Sequence, residues 1–151
     1  MTTWRPAPFL RFKALGLHWR DHRLLAAEVL ENAGGVKGVR PLGGSVAFGA
    51  TAEAAVIRKF REELGIPVEG VGPPIFMENI YPHEGSIAHE VLAIFEVKFA
   101  ENAFKNETRI AFHEDHGVTC FAEWFALETL DLPDQPRPYP DRLKARLLQT
   151  R

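Results

Sequence analysis

The chain has 151 residues, 46% of them hydrophobic and 25% charged, values that suit one globular domain built on one core. Eighteen basic and 20 acidic side chains leave a net charge of -2, so no basic excess argues for a nucleic-acid partner. The lone cysteine, Cys120, excludes an intrachain disulfide and fits a reducing compartment; residues 1–8 lack an apolar signal core, and no apolar run approaches the ~20 residues of a membrane helix. The expectation is a cytoplasmic protein without membrane contact, a single domain over residues 1–151.

Residues 9–19 mix bulky apolar and basic side chains and read as a strand. Asp21 and His22 interrupt the pattern, and residues 23–30 read as a second strand, so the two segments are expected to form a hairpin. Residues 32–38 hold three glycines and read as a loop, followed by a short strand that runs into a glycine turn over residues 39–49. Residues 51–64 carry the clearest helical pattern. Thr51 can cap its N-terminus, Glu53 suits the helix dipole, and Val56, Ile57, Phe60 and Leu64 recur at helical spacing. Gly65 and Pro67 stop it.

Residues 75–81 and 89–99 read as strands, the second apolar enough on both faces to be covered on both for part of its length. Residues 104–116 read as a polar loop, 118–125 as a strand and 127–130 as a short segment. Pro133, Pro136, Pro138 and Pro140 then break the chain before a final short helix over residues 141–148, with Leu143, Leu147 and Leu148 on one side. Mixed strands with one central and one terminal helix define an α/β or α+β sandwich.

The chemistry is concentrated between Gly43 and Ile66. Gly43-Gly44 precedes Arg58-Lys59-Phe60-Arg61-Glu62-Glu63-Leu64-Gly65-Ile66 at a fixed spacing. This segment resembles the Nudix box: Gly, five residues, Glu, seven residues, then Arg-Glu-apolar-any-Glu-Glu-any-Gly-apolar. Seven of its nine fixed positions match. Ala50 stands where the first glutamate belongs, and Lys59 where the glutamate after the arginine belongs. Arg40-Pro41-Leu42 before the glycines and Glu123-Trp124 on a late strand agree with the family pattern, so the resemblance extends over about residues 9–130. It implies a mixed sheet sandwiched between helices.

The box chemistry has a physical basis. A diphosphate linkage is anionic, and a divalent metal both neutralises it and lowers the pKa of an attacking water. Magnesium takes carboxylate oxygens, which a helix presents on one face at i, i+3 and i+4, the spacing of positions 59, 62 and 63. Glycines ahead of the helix let the loop approach a ligand closely. Four glutamates at positions 50, 59, 62 and 63 would carry four negative charges; Ala50, Lys59, Glu62 and Glu63 carry a net one. Two unit charges ~4 Å apart are worth about 4 kcal/mol at an effective dielectric of 20, so metal binding at the usual place should be much weakened.

The resemblance implies Glu62, Glu63 and Arg58 as catalytic residues. It implies Mg²⁺ or Mn²⁺ held by Glu62 and Glu63, with Glu114 or Asp115 supplying a further carboxylate from a loop. Arg40, Gly43, Gly44, Lys59 and Glu90 are the candidate substrate contacts. Against these stand plainer readings: Glu62 and Glu63 on a solvated helix face with Glu63 paired to Lys59, Arg58 as a surface arginine, and the 113–116 segment as a polar loop. His113 and His116 are weak zinc candidates without further ligands, and Trp124 reads as a packing residue.

Two functions of different class follow. The first is a hydrolase that cleaves the diphosphate linkage of a small-molecule nucleotide derivative with divalent metal. The second is a non-catalytic module that binds a nucleotide or related ligand, for which Ala50 and Lys59 argue. A protein-interaction domain on the same scaffold is a third. The resemblance also implies a homodimer.

Overall fold

The computed structural model describes residues 4–31, 34–100, 102–114 and 117–150. Asp115 and His116 therefore lie outside the described residues. Among the described residues, nine strands make two sheets. The first sheet is mixed: β1 (Leu10–Leu17) runs parallel to β7 (Ser86–Lys98) and antiparallel to β5 (Leu42–Ser45), and β7 pairs antiparallel with β6 (Glu69–His83). The second is antiparallel. Strand β3 (Arg23–Leu30) lies between β9 (Thr119–Ala126) on one edge and β2 (Trp19–Arg20) with β4 (Val36–Arg40) on the other, and β8 (Arg109–His113) flanks β9.

The expected N-terminal hairpin is mostly absent. Asp21 and His22 do form a two-residue turn with positive φ at both positions, the conformation that hairpins favour. It joins β3 only to the two residues of β2. Between Leu17 and Trp19 the chain leaves the first sheet for the second, and it returns at Pro41, between β4 and β5. These two crossings let one stretch of chain build both sheets. The polar run over residues 104–116 also holds a strand, β8. Ile110 and Phe112 are buried there while Arg109, Ala111 and His113 face out, a period of two too short to stand out among charged neighbours. Strand β4 begins inside the glycine segment expected to be a loop, and β6 is about twice the expected length.

Helix α1 (Ala52–Leu64) follows the sequence pattern closely. Oγ1 of Thr51 accepts the Ala54 N–H at 3.1 Å, and Gly65 closes the helix with φ 70°. Its buried side chains are Ala55, Val56 and Phe60, with Ile57 partly buried. They pack on the Ala14, Ala93 and Phe95 face of the first sheet and on Leu25, Ala27, Ala122 and Trp124 of the second. A second cluster on the opposite sheet faces gathers Leu15, Leu17, Leu92 and Ile94 against the 3-10 turn Leu127–Thr129 and helix α2 (Leu143–Gln149). Leu143 and Leu147 of α2 are buried, whereas Leu148 is exposed. Among the described residues no helix is long and apolar enough to cross a membrane.

Where the sheets part, His18 stacks on Phe99 at 3.6 Å between ring centroids, and the Trp124 indole N–H donates to its Nδ1 at 3.1 Å. That bond requires an unprotonated Nδ1. Burial, with Arg20 nearby, pushes the imidazole pKa from 6.5 down to about 4. Above the unfolded value both states are neutral. As pH falls between about 6.5 and 4 only the unfolded chain takes the proton, so stability is lost over that window. The expected loss is on the order of 2 kcal/mol, reduced from the full linkage value because the ring is only partly buried. Denaturant titrations at pH 7 and pH 4.5 measure it, with His18→Phe removing the slope. An equal slope in His18→Phe would assign the acid lability to other groups.

Candidate functional site

The double glycine and α1 form the floor of the site. Gly43 sits so close to β1 that a Cβ there would lie 2.0 Å from the Ala14 carbonyl oxygen, so no side chain fits. A Cβ on Gly44 would stand 3.3 Å from the Lys59 Cδ and Cε. The bare Cα of Gly44 thus lets the aliphatic stem of Lys59 lie against β5.

Lys59 Nζ is 3.3 Å from Glu63 Oε1, one turn on, and both side chains are largely shielded at 16% and 10% exposure. Burial raises the Glu63 pKa, and Glu114 adds to this; Lys59 and, more weakly, Arg40 pull it back. Glu62 points elsewhere. Its side chain is 49% exposed and lies 3.7 Å from Arg58, which also donates to the Ser45 carbonyl at 3.2 Å. The i, i+3, i+4 spacing therefore does not put all three side chains in one place. Positions 59 and 63 share the inner side of α1, and 62 turns to solvent.

Glu114, at the end of β8, acts electrostatically on Glu63 and on Cys120. The buried Cys120 thiol is pushed up to about 11 by burial first, then by Glu114, Glu28 and Glu63. Glu28 had no motif to mark it. It comes from β3, and its Oε1 accepts the Phe121 N–H at 3.1 Å.

A second cluster lies on β1, β6 and β7. Glu90 is 5% exposed. Its Oε2 is 3.0 Å from Arg11 Nη2 and 3.1 Å from Lys13 Nζ, and its Oε1 accepts from Asn79 Nδ2 at 3.3 Å. Glu90 is thus committed to protein donors, and what faces outward is the cationic side of the cluster. Arg40, at the Pro41 crossing, connects the two groups: its charge acts on Glu63, on Lys13 and on Tyr81. Of the expected contacts, Arg40, Lys59, Gly43 and Gly44 border one region. Sequence reasoning missed Arg11, Lys13, Asn79 and Tyr81; the only signal was basic residues alternating along β1 at positions facing a buried glutamate.

The donor set can be tested against a divalent ion. Two box carboxylates diverge, one of them is bonded to an ammonium, and two family positions are Ala50 and Lys59. Among the described residues no group of three His, Cys, Asp or Glu is spaced to hold a metal ion. The residues present do not fit the helix-borne metal of the box.

A capped helix packed against a mixed sheet and an antiparallel sheet, preceded by a strand that carries two adjacent glycines, defines an α+β sandwich. The NUDIX domain model matches residues 14–147, and the chain belongs to that family. Among solved structures it is similar to the MutT NUDIX hydrolase from Burkholderia pseudomallei, at 25% identity and TM-score 0.59, with 91% of this chain and 97% of that chain covered. It is also similar in fold to the ORF135 protein of E. coli, at 17% identity and TM-score 0.55 over 93% and 89% of the two chains. An ADP-ribose pyrophosphatase from Streptococcus suis matches at 17% identity and TM-score 0.54 over 92% and 87%. No curated protein sequence matches significantly.

Proposed function

We propose that this Nudix domain binds the diphosphate of a nucleoside diphosphate derivative through side-chain cations, with Lys59 standing where the family places a metal ligand. The observation that carries the reading is the shielded 3.3 Å pair of Lys59 and Glu63. A cation already neutralises the one box carboxylate that faces inward. Arg40 adds a second positive charge to the surroundings of Glu63, and Glu114 a second negative one, so two cations stand beside two carboxylates. Lys59 and Arg40 supply the cations that would meet an anionic ligand without a dication, and charges shielded in this way act more strongly than surface ones because water screens them less.

Hydrolysis of the same linkage is the second reading. It is favoured by the likeness to the Burkholderia MutT NUDIX hydrolase. A panel of nucleoside diphosphate compounds separates the two, each measured for thermal stabilisation and for phosphate-bond cleavage, in EDTA and in Mg²⁺ or Mn²⁺. Stabilisation that persists in EDTA without turnover is the expected result. Turnover at an ordinary enzymatic rate of ~1 per second or more, dependent on metal, would overturn it in favour of the hydrolase.

A further inference from the structure

Glu90 holds two cations on one oxygen, with Asn79 on the other. A buried carboxylate needs one counter-charge; here Arg11 and Lys13 leave the group with a surplus positive charge, to which Arg40 adds. Such a surplus inside a protein is unfavourable unless an anion completes it. The guanidinium of Arg11 is also incompletely matched: its buried Nε has no hydrogen-bond partner. Both cationic side chains keep a narrow opening to solvent, 16% for Arg11 and 15% for Lys13. Asn79 and Glu90 face each other across the β6–β7 ladder, and Arg11 faces Glu90 across β1–β7, so three adjacent strands fix the donors rather than a loop.

We propose that Arg11 and Lys13, held by Glu90 and Asn79, form a metal-independent subsite for a phosphoryl group of the ligand, separate from the Lys59 end of the site. The proposal deepens the reading above and rests on it for the ligand class. Lys13 and Arg11 donate to the phosphoryl oxygens. Glu90 does not touch the ligand; it is a positioning residue that fixes the cation spacing and moderates the charge. Burial, then Arg40, lowers the Lys13 pKa, so a bound dianion should restore it.

The subsite predicts an unusual sign for Glu90→Gln. A carboxamide keeps the shape and removes one negative charge, so anion affinity should rise several-fold. Were the cluster only a structural ion pair, Glu90→Gln would lower stability and leave affinity unchanged. Were Glu90 itself a ligand contact, affinity would fall.

Inorganic phosphate, pyrophosphate and ADP are titrated by calorimetry in EDTA against wild type, Lys13→Met, Lys13→Arg, Glu90→Gln and Lys59→Ala. Lys13→Met should weaken pyrophosphate binding about tenfold, Lys13→Arg should retain it, and Glu90→Gln should strengthen it. A second measurement needs no variant: in wild type, the Lys13 ε-CH₂ resonances should titrate at higher pH when phosphate is present. Unchanged affinity in Lys13→Met and Glu90→Gln, or a Lys13 titration indifferent to phosphate, overturns the subsite. Loss of pyrophosphate binding in Lys59→Ala alone would leave the functional reading standing and remove the subsite. Loss in Lys13→Met alone would keep the subsite and remove Lys59 from ligand binding.

Discussion

Phe60→Ala should destabilise the protein by about 3–5 kcal/mol, the range for deleting a fully buried aromatic ring. The ring is 0% exposed. It lies edge-on to Phe99, with centroids 5.9 Å apart, and over Gly16, where a Cβ would come within 2.6 Å of the Phe60 Cε1. Gly16 leaves the hollow and Phe60 fills it. Alanine empties that hollow, and the sheet beneath is too constrained by its parallel β1–β7 ladder to collapse into it. For a chain of this size 1 kcal/mol moves the melting temperature by roughly 2–4 °C, so a fall of about 10 °C is expected in a thermal melt. Phe60→Leu should cost under half as much. A loss below about 1 kcal/mol in Phe60→Ala would mean that α1 is not anchored through this ring. The position of Lys59 and Glu63, on the neighbouring side of the same helix, would then need another explanation.

How much of this was legible in the sequence depends on the range of the interaction. Helix α1 was legible because its cap, its period and its stop are all local: Thr51 bonds Ala54, and Gly65 takes the left-handed turn. The glycines were legible by register with the box. Strand pairing was not, because β1 joins β7 across more than seventy residues and leaves its expected partner at His18. Glu90 was read as a candidate contact from its place on a strand, yet its two cations come from β1, far away in sequence. Glu28 reaches the acidic group around Cys120 only through the β3–β9 pairing. The spacing of 59, 62 and 63 gave three side chains on a helix but not their directions. Glu62 is drawn outward toward Arg58, and Glu63 inward toward Lys59.

Lys59→Glu should turn this site from a self-neutralised pair into a metal-responsive one, and Ala50→Glu added to it should strengthen the response. Without metal the single variant places two carboxylates, 59 and 63, where the wild type has a pair 3.3 Å apart. Stability should fall modestly at low salt, and less at high salt, where the repulsion is screened. Burial already raises the Glu63 pKa, and Lys59 is the main influence holding it down. Removing that ammonium lets Glu63 retain its proton to still higher pH. Mg²⁺ binding must then displace a proton, which calorimetry in buffers of different ionisation enthalpy detects. Replacing one positive charge by a negative one changes its interaction with a dication by several unit-charge products, each about 4 kcal/mol at ~4 Å and an effective dielectric of 20. Side-chain motion and water reduce this greatly, yet a residue of about 1.4 kcal/mol is already tenfold. The single variant should therefore bind Mg²⁺ at least ~10-fold more tightly than the wild type and regain its lost stability when the ion is added. The double variant should bind more tightly again and show cleavage of a nucleoside diphosphate compound above the wild-type rate. Two results would reverse the argument. If Lys59→Glu leaves Mg²⁺ affinity unchanged, the carboxylates of α1 are not where an ion enters. If the wild type already cleaves such a compound as fast as the double variant, the ammonium of Lys59 has not replaced the metal, and the hydrolase reading takes precedence.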